Sequence, residues 1–375
     1  MRKPRRLLIA GGGTGGHLFP AIALARAFCD RCPHTLVLFV GTRRPFEIRE
    51  VAKAGFAHVA IRAAGIKGRR LAGKLDAFGR VAGGIFESMA LMLRFKPDLV
   101  LGVGGYSAGP VVLAAWLCRR KIVLHEQNLR PGLTNRLLAP LADCIFVAFD
   151  ESVPAFGGKR VRVTGIPLRR ELSAVRADAG ADGDAGGKAE RKKDVPTVLI
   201  TGGSQGARRI NSLMIGALER LAGGREMRFV HQTGAADEAR VRAAYMRLGL
   251  EAQVKSFFDD LPRRYRSCDL AVCRAGAVTV AELAAAGCPA IYIPYPFAAD
   301  NHQWHNAHAM AAAGAGEVIA EEKLTADRLA ERITHYIENP RMLARMGRRA
   351  AARAKPDAAT VMVEHCCRLL AGAAC

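Results

Sequence analysis

A histidine closes the first glycine-rich stretch of the chain, GGGTGGH at residues 11–17. The stretch follows an apolar run typical of a buried strand and precedes an apolar segment typical of a helix. The glycines at 11, 13 and 16 have the spacing of a dinucleotide loop, in which the backbone approaches a phosphate closely. Because histidine titrates near neutral pH, His17 adds a proton acceptor to a loop suited to phosphate.

A nicotinamide enzyme would need a further residue at the end of the second strand. NAD enzymes place Asp or Glu there, and NADP enzymes place an arginine nearby. The second predicted strand ends in FVGTRRP, which has no acid but carries Arg43 and Arg44. An NADP-dependent oxidoreductase is therefore one alternative that these residues allow.

Four more polar or glycine-rich clusters follow predicted strands. They are GGYSAGP at 104–110, HEQN at 125–128, GGSQGARRIN at 202–211 and CRAGAVTVAEL at 273–283. The last cluster opens a helix with Glu282 in its second turn. Ligands of parallel sheets bind beyond the carboxyl ends of the strands, so these clusters predict one large cleft for a sizeable ligand.

Strands and helices alternate along the chain, which predicts parallel sheets with helices on both faces. The strand, glycine loop and helix pattern starts again near residue 196. We predict two doubly wound, Rossmann-like α/β domains that face each other across a cleft, with domains at 1–168 and 169–357. A closing helix over 358–372 could pack back on the first domain. Residues 176–194 have no apolar periodicity and are predicted to be a mobile insertion.

The charge is concentrated in the first half. The chain carries 56 Lys and Arg against 34 Asp and Glu, and residues 1–168 carry 26 against 10, a net of +16. Such an excess predicts an anionic partner, namely nucleic acid, a lipid surface or a phosphorylated substrate. Within residues 66–95, apolar and basic positions interleave, as in an interfacial membrane patch or a helix with a buried face. The residues are Leu71, Leu75, Phe78, Val81, Ile85 and Phe86, with Lys67, Arg69, Arg70, Lys74 and Arg80.

Other compositional features limit the class of protein. There is no run of eighteen apolar residues, and the basic start lacks the long apolar stretch of a signal peptide, so we expect a cytoplasmic location. The ten cysteines lack paired zinc spacing, and we expect them to be reduced thiols. A nucleic-acid-binding or membrane-binding protein without catalytic activity is a further alternative to the NADP-dependent oxidoreductase. The chain has few aromatic residues for stacking on single strands and no nucleic-acid motif, so we expect no nucleic-acid partner.

The ordered set of motifs resembles the MurG family of bacterial glycosyltransferases. The set comprises GGGTGGHLFPA, GVGGYSAGP, HEQN, TGIPLR, GGSQGA, HQTG, CRAGAVTVAEL and DNHQ, in that order over most of the chain. The resemblance implies the two-domain GT-B fold. It implies transfer of N-acetylglucosamine from UDP-N-acetylglucosamine to lipid I, an undecaprenyl-pyrophosphoryl-muramyl-pentapeptide, to form lipid II of peptidoglycan. It also implies a peripheral enzyme at the cytoplasmic face of the inner membrane, in contact with an anionic surface.

The resemblance assigns roles to individual residues. Ser204 and Gln205 would contact the diphosphate, Glu282 the ribose hydroxyls, and Phe258 the uracil through its backbone. Arg169 would lie against the nucleotide, and Gln303 and Asn128 would bind the sugar hydroxyls. The start of the Glu282 helix would lie near the phosphates and the sugar, and the first glycine loop would line the other side of the cleft. Those residues are Ala277, Val278, Thr279, Val280 and Ala281 in the helix, and Thr14, Gly15 and Gly16 in the loop.

The implied reaction inverts the anomeric centre in one displacement and needs a base for the attacking 4-hydroxyl. His17 is the first candidate, and Glu126 and Tyr106 are supporting or competing ones. A helix N-terminus and Arg169 would stabilise the leaving diphosphate, so we expect no metal and no cofactor. One departure from the family pattern is Ile166, which stands where an asparagine is usual and cannot make the same hydrogen bonds.

Overall fold

The computed structural model describes residues 5–63, 71–158, 160–173, 195–203, 206–373 and 375, with the backbone alone over 71–78. The predicted insertion at 176–194 lies outside these residues. The chain divides into two compact units. The first unit comprises Met1–Leu168 and Asp357–Cys375, and the second comprises Arg169–Pro356.

The first unit contains a seven-stranded sheet in which every described pairing is parallel. The strands lie in the order β3-β2-β1-β4-β5-β6-β7. They are β1 (Arg6–Ala10), β2 (Leu36–Gly41), β3 (Ala57–Ala60), β4 (Leu99–Gly102), β5 (Lys121–Glu126), β6 (Cys144–Val147) and β7 (Val161–Val163). The helices up to residue 138 are α1 (Gly15–Arg31), α2 (Pro45–Lys53), α3 (Leu71–Phe95), α4 (Ala108–Leu117) and α5 (Leu133–Leu138).

Alternation along β1 shows how the sheet is buried on both faces. Leu7 and Ile9 join a core cluster on one face, and Leu8 and Ala10 join a separate cluster on the other. Successive strand side chains point to opposite faces, so the short apolar runs predicted as strands can be covered by helices on both sides. The strand order reverses between β1 and β4, and the loops after these two strands therefore meet at a switch point, where ligands of such sheets bind.

The second unit repeats the plan with six strands in the order β10-β9-β8-β11-β12-β13. They are β8 (Thr197–Thr201), β9 (Arg228–Gln232), β10 (Ala252–Lys255), β11 (Leu270–Cys273), β12 (Ala290–Tyr292) and β13 (Glu317–Val318). The helices are α6 (Arg170–Ser173), α7 (Arg208–Ala222), α8 (Glu238–Arg247), α9 (Leu261–Ser267), α10 (Ala277–Ala285), α11 (His302–Ala312), α12 (Ala326–Glu338) and α13 (Pro340–Ala352). Its switch point lies between β8 and β11. The predicted class, two doubly wound parallel α/β units, is confirmed.

The closing helix, α14 (Ala358–Leu370), packs against α1 of the first unit. Its buried side chains, among them Met362 and Leu369, belong to the same core cluster as Leu18 and Phe28 of α1. Of its two consecutive residues Val361 and Met362, the first is exposed and the second is fully buried.

The expectation that all cysteines are reduced thiols is wrong for one pair. Cys144, at the start of β6, forms a disulfide with Cys375, and their Cα atoms are 5.4 Å apart. That separation lies in the normal range for a disulfide. The two residues are 231 positions apart in sequence, so cysteine spacing could not indicate the pair. Among the described cysteines, the C-x-x-C pair Cys29 and Cys32 are both free thiols.

The packing of α14 on α1 makes a testable prediction about stability. We expect Met362→Ala to lower the free energy of unfolding of the first unit by about 2–5 kcal/mol, because it opens a cavity in the core. Val361→Ala, the adjacent exposed position, is the control and should change it by less than about 0.5 kcal/mol. Urea unfolding in a Trp304→Phe background isolates the fluorescence of Trp116, which lies in the first unit. Equal effects of the two substitutions would contradict the described packing.

Candidate active site

The first glycine loop joins β1 to α1 at the switch point of the first unit. Gly11, Gly12 and Gly13 all have positive φ angles, of 130°, 155° and 88°. A Cβ added to Gly11 would lie 2.5 Å from the carbonyl oxygen of Gly104, in the loop after β4. Glycine is therefore required both for the backbone conformation and for the close approach of the two loops.

The first turn of α1 follows directly. Gly15 is the first helical residue and Thr14 the N-cap. Thr14 and Gly16 are exposed, and Gly15 is buried. The first N–H groups of a helix have no partner within the helix, and the helix dipole adds positive potential there, so this turn can receive an anion.

A buried carboxylate, Glu47 of α2, holds the loop in place. Its Oε2 accepts hydrogen bonds from the Gly13 N–H at 3.1 Å and the Thr42 hydroxyl at 2.8 Å. Its Oε1 accepts from the Thr42 N–H at 3.1 Å and lies 3.3 Å from His58 Nε2. Burial opposes ionisation of Glu47, but the hydrogen bonds from His58 and Thr42 outweigh it and hold the pKa of the carboxyl below its usual value.

Arg44 completes the support of this loop. Its Nη1 donates to the Gly13 carbonyl oxygen at 2.7 Å. Both backbone groups of Gly13 are therefore engaged within the protein, and the amides offered to a ligand begin at Thr14. Of the two arginines on which the NADP alternative rested, Arg43 and Arg44, the second thus has a structural contact.

His17 lies at the end of a chain of buried hydrogen bonds. Its Nδ1 is 3.0 Å from Oε1 of Gln127, which follows β5. Gln127 Nε2 donates to the Val103 carbonyl oxygen at 3.0 Å and lies 3.2 Å from His125 Nδ1. His125 Nε2 is 3.2 Å from the Gly165 carbonyl oxygen. Burial lowers the pKa of His125 to about 4, so that imidazole is neutral at neutral pH.

Glu126, a predicted catalytic residue, is buried and anchors the loop after β5. Its Oε1 accepts from the backbone and side-chain N–H groups of Asn128 at 3.0 and 3.2 Å. Its Oε2 accepts from the Gly132 N–H at 3.0 Å and from Asn135 Nδ2 at 2.9 Å. The carboxylate thus fixes Asn128, which sequence reasoning proposed for the sugar. Tyr106, the other candidate, is half-buried and lies next to Gly105 in the loop after β4.

The second glycine loop follows β8 in the second unit. Gly206 has a φ of 76°, and a Cβ added there would lie 2.1 Å from the Thr233 carbonyl oxygen. The buried Gln232 at the end of β9 donates from Nε2 to the Gly203 carbonyl oxygen at 3.0 Å. Its Oε1 accepts from the Phe258 N–H at 2.9 Å. Gln232 therefore joins the predicted diphosphate loop to the predicted uracil segment. Ser204 and Gln205 lie outside the described residues.

A second network of buried hydrogen bonds holds the backbone of Thr233. Asn211 of α7 donates from Nδ2 to the Thr233 carbonyl oxygen at 2.9 Å and to Asp237 at 2.8 Å. His231 of β9 contacts Asn211 Oδ1 through Nε2 at 3.1 Å and the Tyr245 hydroxyl through Nδ1 at 3.2 Å. Burial lowers the pKa of His231 to about 3, which keeps it neutral.

Glu282 pairs with Arg169 in the second unit. The helix α10 buries Ala277, Val278 and Val280 and leaves Thr279 and Ala281 half-buried. Glu282, in its second turn, is buried, and its Oε1 accepts from Arg169 Nε at 3.0 Å. Burial raises the pKa of Glu282, and the charge and hydrogen bond of Arg169 oppose that rise. Two residues predicted to meet the nucleotide are thus brought together.

The remaining predicted site residues make packing or backbone contacts within the protein. The Phe258 ring is buried in the core, and the Arg264 guanidinium lies 4.0 Å from its centroid. The ring therefore has a packing role, as expected for a residue that would meet uracil through its backbone. Gln303 Oε1 accepts from the Tyr295 N–H at 3.0 Å. Ile166 is buried, which suits an apolar side chain at a position where a polar one is usual.

Sequence reasoning missed three positioning residues, namely Glu47, Gln127 and Gln232. For Glu47 a signal was present, because it lies on one face of α2 with Glu50 and Val51, at i, i+3 and i+4, and that face is buried. The two glutamines stand in the quoted motifs HEQN and HQTG, but their hydrogen-bond partners are distant in sequence. Across the described residues, no group of three or more His, Cys, Asp or Glu could hold a metal ion.

Comparisons with known proteins agree over most of the chain. The N-terminal domain of glycosyltransferase family 28 matches residues 7–147, and its C-terminal domain matches residues 197–362. The chain is 44% identical over 362 residues to the UDP-N-acetylglucosamine–N-acetylmuramyl-(pentapeptide) pyrophosphoryl-undecaprenol N-acetylglucosamine transferase of Citrifermentans bemidjiense, covering 96% of this chain and 98% of that protein.

Solved structures support the same assignment. The crystal structure of Acinetobacter baumannii MurG is 31% identical with a TM-score of 0.76, over 96% of this chain and 99% of that one. The UDP-GlcNAc 2-epimerase of Neisseria meningitidis, solved with UDP-GlcNAc bound, is 14% identical with a TM-score of 0.66, over 97% of this chain and 100% of that one. At that identity the likeness shows the fold alone. Together the matches establish the GT-B architecture.

The Arg169–Glu282 pair makes a prediction that can be tested by a double-mutant cycle. We expect Arg169→Met to destabilise the second unit by about 3 kcal/mol, because it leaves a buried carboxylate without its cation. That figure is the low end of the usual range, since the Arg169 side chain is 21% exposed. Adding Glu282→Gln should restore most of the loss. Urea unfolding reported by Trp304 in a Trp116→Phe background measures each variant, and additive effects would show that the two side chains are not coupled.

Proposed function

The chain belongs to glycosyltransferase family 28, and we propose that it transfers N-acetylglucosamine from UDP-N-acetylglucosamine to the muramyl sugar of lipid I. The product is lipid II, the disaccharide precursor of peptidoglycan. The observation that carries this proposal is the 44% identity, over nearly the whole length of both chains, to a transferase named for this reaction.

The second unit holds the donor in this proposal. The helix α7 begins at Arg208, directly after the glycine loop, and its first amides suit a diphosphate together with Ser204 and Gln205. The ribose hydroxyls donate to Glu282, whose carboxylate Arg169 orients. The segment at Phe258, held by Gln232, receives the uracil. The start of α10 lies near the phosphates and the sugar, and Gln303 binds the sugar hydroxyls. Asn128, a residue of the first unit, is also proposed to bind them.

The first unit holds the acceptor and the base. The acceptor pyrophosphate binds the amides of Thr14, Gly15 and Gly16, at the N-cap and first turn of α1, where Thr14 and Gly16 are exposed. The muramyl 4-hydroxyl attacks C1 of the donor sugar, and its proton passes to His17. The new bond forms between O4 and C1 while the bond from C1 to the diphosphate oxygen breaks, and UDP leaves with the electron pair. The configuration at C1 is inverted.

The surroundings of the three candidate bases favour His17. Glu126 already accepts four hydrogen bonds and would lose some of them on protonation, so we assign it to positioning Asn128. Tyr106, which is half-buried in the loop after β4, is assigned a supporting role. The leaving diphosphate is stabilised by helix amides and Arg169, and the transfer proceeds without a metal ion.

We further propose that the first unit binds the anionic cytoplasmic face of the inner membrane, where the acceptor lipid resides, and that it binds no nucleic acid. On α3, Phe86 and Leu93 are 72% and 65% exposed, and on α4 and α5, Trp116 and Leu137 are 50% and 69% exposed. These helices pack in sequence, α3 on α4 and α4 on α5. We propose that these four exposed side chains share the membrane-facing surface, and we call them the apolar patch. No described helix is both long and apolar enough to span a bilayer.

The predicted membrane stretch at 66–95 falls partly outside the described residues. Residues 66–70 are among those not described, and Phe86 is the most exposed of the named apolar positions that are described. Val81 and Ile85 are half-buried, so part of the apolar face serves the core. Arg80 and Arg94, exposed on the same helix, add basic charge. Apolar contact with attraction to anionic lipid is the usual combination at a membrane surface.

The central test is a transfer assay with UDP-N-acetylglucosamine and a short-chain lipid I analogue, in the presence of EDTA. We expect turnover by the wild type and a fall in kcat of about 10²–10⁴-fold in His17→Ala, the usual contribution of a general base. His335→Ala is the matched control and should keep full turnover. Near-full turnover by His17→Ala would refute the base assignment. Thermal stabilisation by NADPH instead of UDP would refute the transferase proposal.

The membrane proposal has its own test. Replacing Phe86 and Leu93 by serine should weaken binding to vesicles that contain phosphatidylglycerol by at least about tenfold, because each buried apolar side chain contributes about 1.5–3 kcal/mol. Binding should also fall with added salt. Met246→Ser, at an exposed apolar position of the second unit, is the control. Unchanged vesicle binding by the double variant would exclude the apolar patch as the contact surface.

A further inference from the structure

The donors and acceptors of the hydrogen-bond chain that ends at His17 can be assigned one link at a time, starting from the carbonyl oxygen of Gly165. A backbone carbonyl oxygen only accepts hydrogen bonds, so the contact of 3.2 Å between it and His125 Nε2 requires a proton on Nε2. His125 is fully buried, and burial lowers its pKa to about 4. A neutral imidazole protonated on Nε2 has an unprotonated Nδ1, which therefore accepts.

The next link fixes the side-chain amide of Gln127. Two acceptors lie near one end of this amide, the Val103 carbonyl oxygen at 3.0 Å and His125 Nδ1 at 3.2 Å. The NH2 group must therefore face both of them, and the amide oxygen must face His17. A flipped amide would turn its oxygen toward two acceptors and lose both hydrogen bonds. Since Gln127 and His125 are buried, water does not offer a replacement.

The last link determines the tautomer of His17. The amide oxygen of Gln127 only accepts, and it lies 3.0 Å from His17 Nδ1. The proton of neutral His17 is therefore on Nδ1, which leaves Nε2 unprotonated.

We propose that Gln127 and His125 are positioning residues that hold the proton of His17 on Nδ1, so that Nε2 is the atom that receives the acceptor's proton. This inference rests on the proposed role of His17 as the base. Without the chain, both tautomers of His17 become available, and the one protonated on Nε2 cannot take a proton there. Neither Gln127 nor His125 needs to touch substrate for this role.

The test reads the tautomer directly, by ¹⁵N NMR of the full-length protein labelled at histidine, at mildly alkaline pH. The His17 signals are identified by their loss in His17→Ala. In the wild type we expect a proton on Nδ1 and none on Nε2. In Gln127→Met, a substitution of similar length without hydrogen-bonding groups, we expect a mixture of tautomers. Gln253→Met, at an exposed position of β10, is the matched control and should leave the wild-type pattern unchanged.

Kinetics supply the second readout. In Gln127→Met we expect kcat to fall by about 10–100-fold with KM for the UDP-sugar unchanged, below the loss of about 10⁴ seen where a catalytic histidine is held in the wrong tautomer. A wild-type His17 protonated on Nε2 would overturn the proposal, and so would a Gln127→Met protein with the wild-type tautomer. The wild-type spectrum decides even if the variant fails to fold. Full turnover by His17→Ala would instead overturn the proposed base and leave the tautomer assignment standing.

Discussion

The close approach of two backbone loops at the switch point of the first unit determines the rest of its site. Gly11 and Gly104 come so near that a Cβ on Gly11 would lie 2.5 Å from the Gly104 oxygen. A Cβ on Gly104 would lie 3.1 Å from the His17 ring. The absence of side chains at these positions is what lets the imidazole reach Gln127 at the end of β5, across the intervening β4. Glycines of the two loops therefore make room for the histidine, in addition to the backbone amides proposed for a phosphate.

The second unit uses the same device with different residues. Its glycine loop packs on the backbone of Thr233, and a buried glutamine at the next strand end bonds a carbonyl oxygen at the switch point. Gln232 donates to Gly203, as Gln127 donates to Val103. In both units an amide suits this position because it donates with one end and accepts with the other. In the first unit the accepting end faces a histidine, and in the second it faces the Phe258 backbone.

Sequence patterns predicted the strands well because both units are built from short apolar runs, and β1, β2, β4 and β8 end in glycine or directly precede it. The same patterns could not predict which buried groups bond to each other. A nicotinamide enzyme would carry an acid at the end of its second strand, and Glu47 lies beyond that position. Its carboxylate nevertheless accepts a hydrogen bond from Gly13, which stands 34 residues earlier in the sequence. The Cys144–Cys375 disulfide spans 231 residues and gives no local signal. Periodicity specifies a buried face, whereas hydrogen-bond partners depend on the tertiary fold.

The buried acids explain why an imidazole carries the proposed proton transfer. A buried carboxylate is costly unless donors surround it, and the acids near the described strand ends are surrounded. Glu47 is held by Gly13, Thr42 and His58, and Glu282 by Arg169. Glu126 accepts from Asn128, Gly132 and Asn135. Glu47 and Glu126 are committed to shaping loops and Glu282 to its pair with Arg169, and protonation would weaken the contacts that justify their burial. A histidine held by a neutral amide is under no such constraint, because one ring nitrogen can stay bonded to the protein while the other takes the proton.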